Sequence, residues 1–308
     1  MKLIYNHKVF AGAMAICIAA ALWGLDGIVL TPQLYRLNIT PVVFILHAFP
    51  FLLMNIFLFR EYKYLPQFSR SDLFILFFIS LLGGAVGTMA IVKALFLVNF
   101  KALTVVVLLQ KLQPVFAITL AAILLKEKLQ KNFLLWAAVA VLAGYFLTFG
   151  FQTPDFSTGD NTALAALYSL LAAAAFGSST VLSKKILFKY SPFTATFYRY
   201  GITAFIMLFV LMVNGKIMEI GGVTSHEWLI FVIIGLTTGS GAIFLYYVGL
   251  IRIRAMLATI CELMFPITAI ILDYFVNGKI LTPVQWISAA IMIGAILKLS
   301  IQKPETEQ

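Results

Sequence analysis

Gly83-Gly84-Ala85-Val86-Gly87-Thr88-Met89-Ala90 returns, 152 residues later, as Gly235-Leu236-Thr237-Thr238-Gly239-Ser240-Gly241-Ala242. At the same offset Pro114 meets Pro266. Trp23-Gly24 meets Phe176-Gly177 at an offset of 153, and Thr40-Pro41 meets Ser191-Pro192 at 151. Short loop insertions and deletions produce a drift of one residue either way. The chain therefore reads as an internal repeat, and self-similarity of this kind constrains the fold before any single helix is considered.

The repeated segments lie in apolar surroundings. Of 308 residues, 62% are hydrophobic and 11% charged, against roughly 45–50% and 25% in a soluble domain. Apolar runs recur near 9–30, 41–59, 73–91, 102–125, 133–150, 163–183, 193–213, 229–249, 255–276 and 284–299. A hydrocarbon core of roughly 30 Å needs about 20 helical residues, so the spacing predicts ten transmembrane helices in an all-α integral membrane protein. Each half, 1–151 and 162–308, then contains five spans, with an extracytoplasmic linker over 152–161 and a short tail at the end of the second half. An odd number of spans makes the second half start on the opposite side of the bilayer, so the repeat is expected to be inverted.

A net charge of +10 on one soluble face would suggest nucleic acid, but here the basic residues segregate by loop. Counted over alternate connections, 15 of the 22 Lys and Arg fall on the side of the N-terminus, among them Arg60, Lys63, Lys126, Lys184 and Arg252. Five, including Arg36 and Lys216, fall on the other side. The positive-inside rule places both termini in the cytoplasm, and no nucleic-acid partner is expected. Cys17 and Cys261 lie in apolar runs as small hydrophobes and do not suggest a disulfide framework. His7, His47 and His226 have no zinc spacing, and no phosphate-binding glycine loop appears. Neither metal nor cofactor is expected, and no paired nucleophile points to an enzyme.

Lys111 and Arg199 are the basic residues inside apolar runs, and Glu262 is an acidic residue deep inside one. Each costs on the order of 2.5–3.5 kcal/mol at the bilayer centre and therefore calls for a reason. By helical rise Lys111 lies roughly 15 Å into the fourth span and Glu262 roughly 10 Å into the ninth. A proline inside a helix cannot donate to the carbonyl four residues earlier. Pro114 is thus expected to free the carbonyl of Gln110, and Pro266 that of Glu262, at equivalent kinks of the two halves. Exposed backbone of this kind is tolerated at membrane depth only where protein or water lines it.

Two readings of the pair stay open. Lys111 and Glu262 either face a central cavity and bind a substrate with both charges, Glu262 doubling as a proton-coupling carboxylate, or they form a salt bridge that locks two helices. Gln110 and Gln113 flank the first kink. Asp26 is a gate or proton site, or a carboxylate reaching the interface. Ser179, within Ser178-Ser179-Thr180, either donates to substrate or bonds back to its helix. Trp23, Tyr246 and Tyr247 form an aromatic wall or ordinary core. Arg199, only about six residues inside its span, is expected to snorkel to the surface, and Asp273 to be wetted.

Taken together, Leu22-Trp23-Gly24, Gln113-Pro114-Val115-Phe116, Leu125-Lys126-Glu127-Lys128-Leu129, Pro192 with Arg199, Tyr246-Tyr247, Pro266, and Gly278-Lys279-Ile280-Leu281 with Gln285-Trp286 resemble the drug/metabolite transporter superfamily. The resemblance is to its ten-helix EamA-type branch and covers nearly the whole chain. Two departures stand out: Lys279 occupies the place that Glu127 holds in the first half, and Arg199 has only His47 or Ala48 opposite it. The resemblance implies a secondary transporter of a bacterial inner membrane that works by alternating access, with a midplane site between the halves. The most concrete form is proton-coupled export of an amino acid or other amphoteric metabolite by a monomer or weak dimer. An importer of a small organic cation and a non-transporting scaffold are the rivals.

Overall fold

In the computed structural model the described residues are 2–97, 106, 109–110, 112–128, 132–151, 162–278, 280 and 282–301. Lys111, Lys279, the 152–161 linker and the tail beyond 301 lie outside them. The described helices are α1 (Lys2–Leu25), α2 (Ile39–Leu58), α3 (Arg70–Ile79), α4 (Gly87–Leu97), α5 (Gln113–Leu124), α6 (Phe133–Phe149) and α7 (Thr162–Leu187). They continue as α8 (Pro192–Val213), α9 (Ser225–Ile234), α10 (Ser240–Leu250), α11 (Ala255–Cys261), α12 (Met264–Asn277) and α13 (Pro283–Ile301).

Three spans carry a wide π-helical turn: Asp26–Leu30 after α1, Ser80–Val86 between α3 and α4, and Gly235–Gly239 between α9 and α10. The last two are the glycine-rich repeat segments. A π turn leaves the regular ladder and concentrates at functional or strained places, and glycines there let neighbouring helices approach closely. The last two spans also open on a capping box, Ser69 with Asp72 at α3 and Thr224 with Glu227 at α9, which satisfies amides that the first helical turn leaves unpaired.

Among the described residues, eight helical segments are long and apolar enough to cross a bilayer, from His7–Leu34 to Pro283–Ile301. Gln113–Leu124 and Phe133–Phe149 are shorter apolar helices that occupy the remaining expected runs. Large apolar side chains such as Phe57, Phe205, Phe209 and Ile287 are exposed on the outside of the bundle, where a soluble protein would carry charge but a bilayer supplies hydrocarbon. The chain is an all-α, multi-pass membrane protein.

Packing follows a regular scheme. α1 lies along α10 and α12, α7 lies along α4 and α5, α2 packs on α8, and α6 packs on α13. Two glycines explain the closest approaches. A β-carbon on Gly24 would stand 2.9 Å from the Phe265 carbonyl oxygen and 3.1 Å from the Ala269 nitrogen. One on Gly177 would stand 2.9 Å from the Gln113 carbonyl oxygen and 3.1 Å from the Ala117 nitrogen. The two glycines occupy matching places in the repeat, and each seats its helix on the proline-marked break of a helix from the other half. Small residues are what permit backbone contact of this kind between membrane helices.

Candidate functional site

The breaks position the site. Leu112 caps α5, so Pro114 falls in the first turn of a new helix, where its missing N–H costs nothing. In the ninth run α11 ends at Cys261, residues 262 and 263 form a turn, and α12 begins at Met264 with Pro266 in its first turn. The expected free carbonyl at Glu262 is not found. The Phe265 N–H takes it at 3.0 Å, because the chain tightens into an i to i+3 bond as the proline removes the regular partner. What the break supplies is a side-chain direction: Glu262 and Gln113 turn toward each other across the α5/α12 gap.

The Glu262 carboxylate is held by neutral donors from three helices. Tyr246 of α10 donates its hydroxyl to Oε1 at 2.7 Å, and Thr180 of α7 lies 3.4 Å from the same oxygen. Gln113 of α5 donates through Nε2 to Oε2. Thr180 and Tyr246 also bond to each other at 2.9 Å, and the Trp23 ring of α1 leans on Tyr246 with centroids 5.5 Å apart. Glu262, Gln113 and Trp23 keep accessible surface although helices surround them. A carboxylate with about four acceptor positions and three donors retains capacity for one more.

A second network lies beside the first. Tyr247 accepts from Arg199 at 3.0 Å and bonds to Ser183 at 2.9 Å. A second Arg199 nitrogen reaches the carbonyl of Gly83, inside the Ser80–Val86 π turn, at 3.0 Å. Ser179 donates to the Ile79 carbonyl at 3.3 Å, and Thr203 to that of Ser80 at 3.2 Å. The expectation that Arg199 snorkels is corrected: its side chain is 8% exposed and its Nε has no partner among the described residues. Glycines at the π turn bring α3 and α4 so close to α8 that the guanidinium finds carbonyls inside before it finds water outside.

The sequence-derived candidates divide accordingly. Glu262, Gln113 and Trp23 come together, joined by Thr180 and Tyr246, which the sequence offered only within a hydroxylated stretch and an aromatic wall. Tyr247 and Ser179 belong to the Arg199 network one turn away. Asp26 opens the π turn after α1 and accepts from Thr31 at 3.0 Å. Gln110 is half-buried next to the α5 break, and Lys111 lies outside the described residues. Glu127 accepts from the Ala255 and Met256 amides at 2.8 and 3.1 Å, so it caps α11, where a negative charge meets the positive end of the helix dipole. Among the described residues no group of three His, Cys, Asp or Glu is placed to hold a metal.

Charge pairs tie the two halves at the loops. Arg36 bonds Glu227 at 2.7 Å, and Lys189 bonds Asp72 at 2.7 Å, so each capping-box carboxylate takes a cation from the other half. Outside the spans, the bond to Glu227 raises the Arg36 guanidinium further above its usual range. Burial and the neighbouring Asp72 push the Tyr190 hydroxyl above that of an ordinary phenol.

The model of the EamA-like transporter family matches this chain in two stretches, residues 10–150 and 163–301. A protein named riboflavin transporter ImpX, from Fusobacterium nucleatum, is 53% identical over 296 residues, which is 96% of this chain and 98% of that one. An uncharacterized transporter of Bacillus subtilis, YwfM, is 29% identical over 190 residues, 61% of this chain and 60% of its own. One of Archaeoglobus fulgidus is 23% identical over 190 residues. A solved crystal structure of a protein 17% identical superposes with a TM-score of 0.70, over 92% of this chain and 94% of that one, a likeness of fold alone. The chain belongs to the EamA-like transporter family of the drug/metabolite transporter superfamily and is a membrane transporter, not an enzyme.

Proposed function

We propose that this chain carries riboflavin or a closely related flavin compound across the cell's inner membrane, through a site centred on Glu262. The observation that carries the reading is the 53% identity to the Fusobacterium riboflavin transporter along almost the full length of both chains. The geometry supports it. The donors on Glu262 are hydroxyls and an amide, and an aromatic face stands beside them, a setting suited to a flat, uncharged, polar-edged solute. Among the described residues the carboxylate is met by neutral donors.

The mechanism we assign is alternating access between two inverted five-helix repeats, 1–151 and 162–308, joined by 152–161, in ten spans with both termini in the cytoplasm. Reciprocal packing of α1 on α10 and α12 and of α7 on α4 and α5 supports this division, as do the matched contacts of Gly24 and Gly177. Substrate sites of inverted-repeat transporters lie where broken helices of the two halves meet, which is where Gln113 and Glu262 touch. Glu262 is the group we assign to proton coupling, since it is the carboxylate that both faces the interior and is linked to three helices. Each copy holds a complete site, so a monomer or weak dimer suffices.

Purified protein in proteoliposomes tests the reading. Riboflavin flux is expected in the folded wild type, measured in both directions with and without a pH gradient, and Glu262→Gln is expected to abolish its response to that gradient. Amino acids and quaternary amines form the comparison panel. Flux of these without flux of riboflavin would overturn the assignment of substrate.

A further inference from the structure

We propose that Glu262 and Gln113 together read the imide edge of the flavin ring while Trp23 covers its face, which rests on the reading of the chain as a riboflavin-type carrier. The pyrimidinedione end of an isoalloxazine presents a carbonyl, an N3–H and a second carbonyl in a row. A partner must offer an acceptor flanked by a donor. Some polar groups in this bundle are taken up within their own helices, as Ser169 and Ser300 are, and others are paired across helices in the Arg199 network. Glu262 and Gln113 are different.

Glu262 Oε1 is occupied by the hydroxyls of Tyr246 and Thr180, which fix the plane and direction of the carboxylate. Oε2 faces the Gln113 amide and receives its Nε2–H. An acceptor oxygen and a donor nitrogen therefore lie side by side, one from each half of the chain, on residues that both keep accessible surface. An imide can enter between them by exchange: N3–H donates to Oε2, and the Gln113 N–H moves from Oε2 to the adjacent flavin carbonyl. The Gln113–Glu262 bond is given up and two new ones form, so neither protein group is left unpaired by the exchange, which spares the cost of an unsatisfied buried donor or acceptor. The bond to the carboxylate is charge-assisted and the stronger of the two.

Trp23 completes the subsite. Gly24 presses α1 against the start of α12, which leaves the neighbouring Trp23 ring 5.5 Å from that of Tyr246 and half-exposed. The ring stands beside the tyrosine that bonds the carboxylate, within the breadth of a fused tricyclic system, and offset stacking is the arrangement aromatic pairs prefer. Because the reading groups come from both repeats, substrate would bridge the halves at the point where they must part for alternating access.

The test compares riboflavin with its N3-methyl derivative on the full-length wild type in proteoliposomes, with competition for riboflavin flux as the readout. Removal of one charge-assisted hydrogen bond is expected to weaken competition by about tenfold or more. Glu262→Gln, checked for a monodisperse fold, is expected to narrow the gap between the two compounds, since the neutral amide oxygen still accepts from N3–H but without charge assistance. Trp23→Leu is expected to lose the quenching of flavin fluorescence that stacking on an indole produces. Equal competition by riboflavin and N3-methylriboflavin in the wild type would overturn the imide assignment while leaving riboflavin transport standing. Absence of any riboflavin flux in folded protein would remove both.

Discussion

Gly24 and Phe265 touch backbone to backbone: a β-carbon at residue 24 would lie 2.9 Å from the Phe265 carbonyl oxygen. This contact sets α1 against the break between α11 and α12 and with it the position of Trp23. Gly24→Val is therefore expected to lower stability by about 1–3 kcal/mol through overpacking. Gly27→Ala, whose β-carbon would meet only the Phe265 ring edge at 3.8 Å, is expected to be near neutral. Thermal unfolding of the two variants in detergent checks the contrast.

Tyr246 donates to Glu262 at 2.7 Å and bonds Thr180 at 2.9 Å. Tyr246→Phe keeps the ring beside Trp23 but removes the hydroxyl, leaving the carboxylate one donor short. A hydrogen bond to a charged group is worth about 1.5–3 kcal/mol, so riboflavin flux is expected to fall by roughly 10- to 100-fold with little change in unfolding temperature. A fall in unfolding temperature with flux unchanged would instead mark Tyr246 as a packing residue.

Arg199 bridges Tyr247 and the Gly83 carbonyl, both at 3.0 Å. Arg199→Lys keeps the charge but loses the planar fork that reaches two acceptors at once. It is expected to destabilise the protein by about 1–3 kcal/mol. Hydrogen exchange should rise in the Ser80–Val86 π turn, whose Gly83 carbonyl the guanidinium holds, and stay unchanged in the Gly235–Gly239 turn, which packs on Phe49 and Pro50.

The Arg36–Glu227 pair is lopsided, with side chains 60% and 5% exposed. Arg36→Ala removes a solvated cation and is expected to leave stability nearly unchanged. Glu227→Ala also strips the Thr224 amide and hydroxyl of their acceptor at 2.8 Å each, and is expected to cost about 1–2 kcal/mol as a lost helix cap. Unfolding at low and high salt checks both, with salt expected to erode the Arg36 contribution first.

The all-helical, multi-pass character and the family were legible in the sequence, because bilayer thickness imposes apolar length on each span separately and the glycine and proline spacing is written along the chain. The breaks near Pro114 and Pro266 were legible for the same reason: a missing N–H is a local fact. Their consequence was not. The carbonyl of Glu262 is recaptured by Phe265, an adjustment that depends on how far the turn can tighten.

What only the tertiary structure decided is which side chains meet. Lys111, the cation that sequence set beside Glu262, lies outside the described residues, and within them the carboxylate is held by Gln113, Thr180 and Tyr246, residues up to 149 positions away. Arg199 looked shallow by count and is enclosed, because Gly83 lets the Ser80–Val86 turn close over it. Helical periodicity states which residues share a face, but the partner of that face is set by how closely whole helices can approach, and in this protein that is decided by glycines far away in the chain.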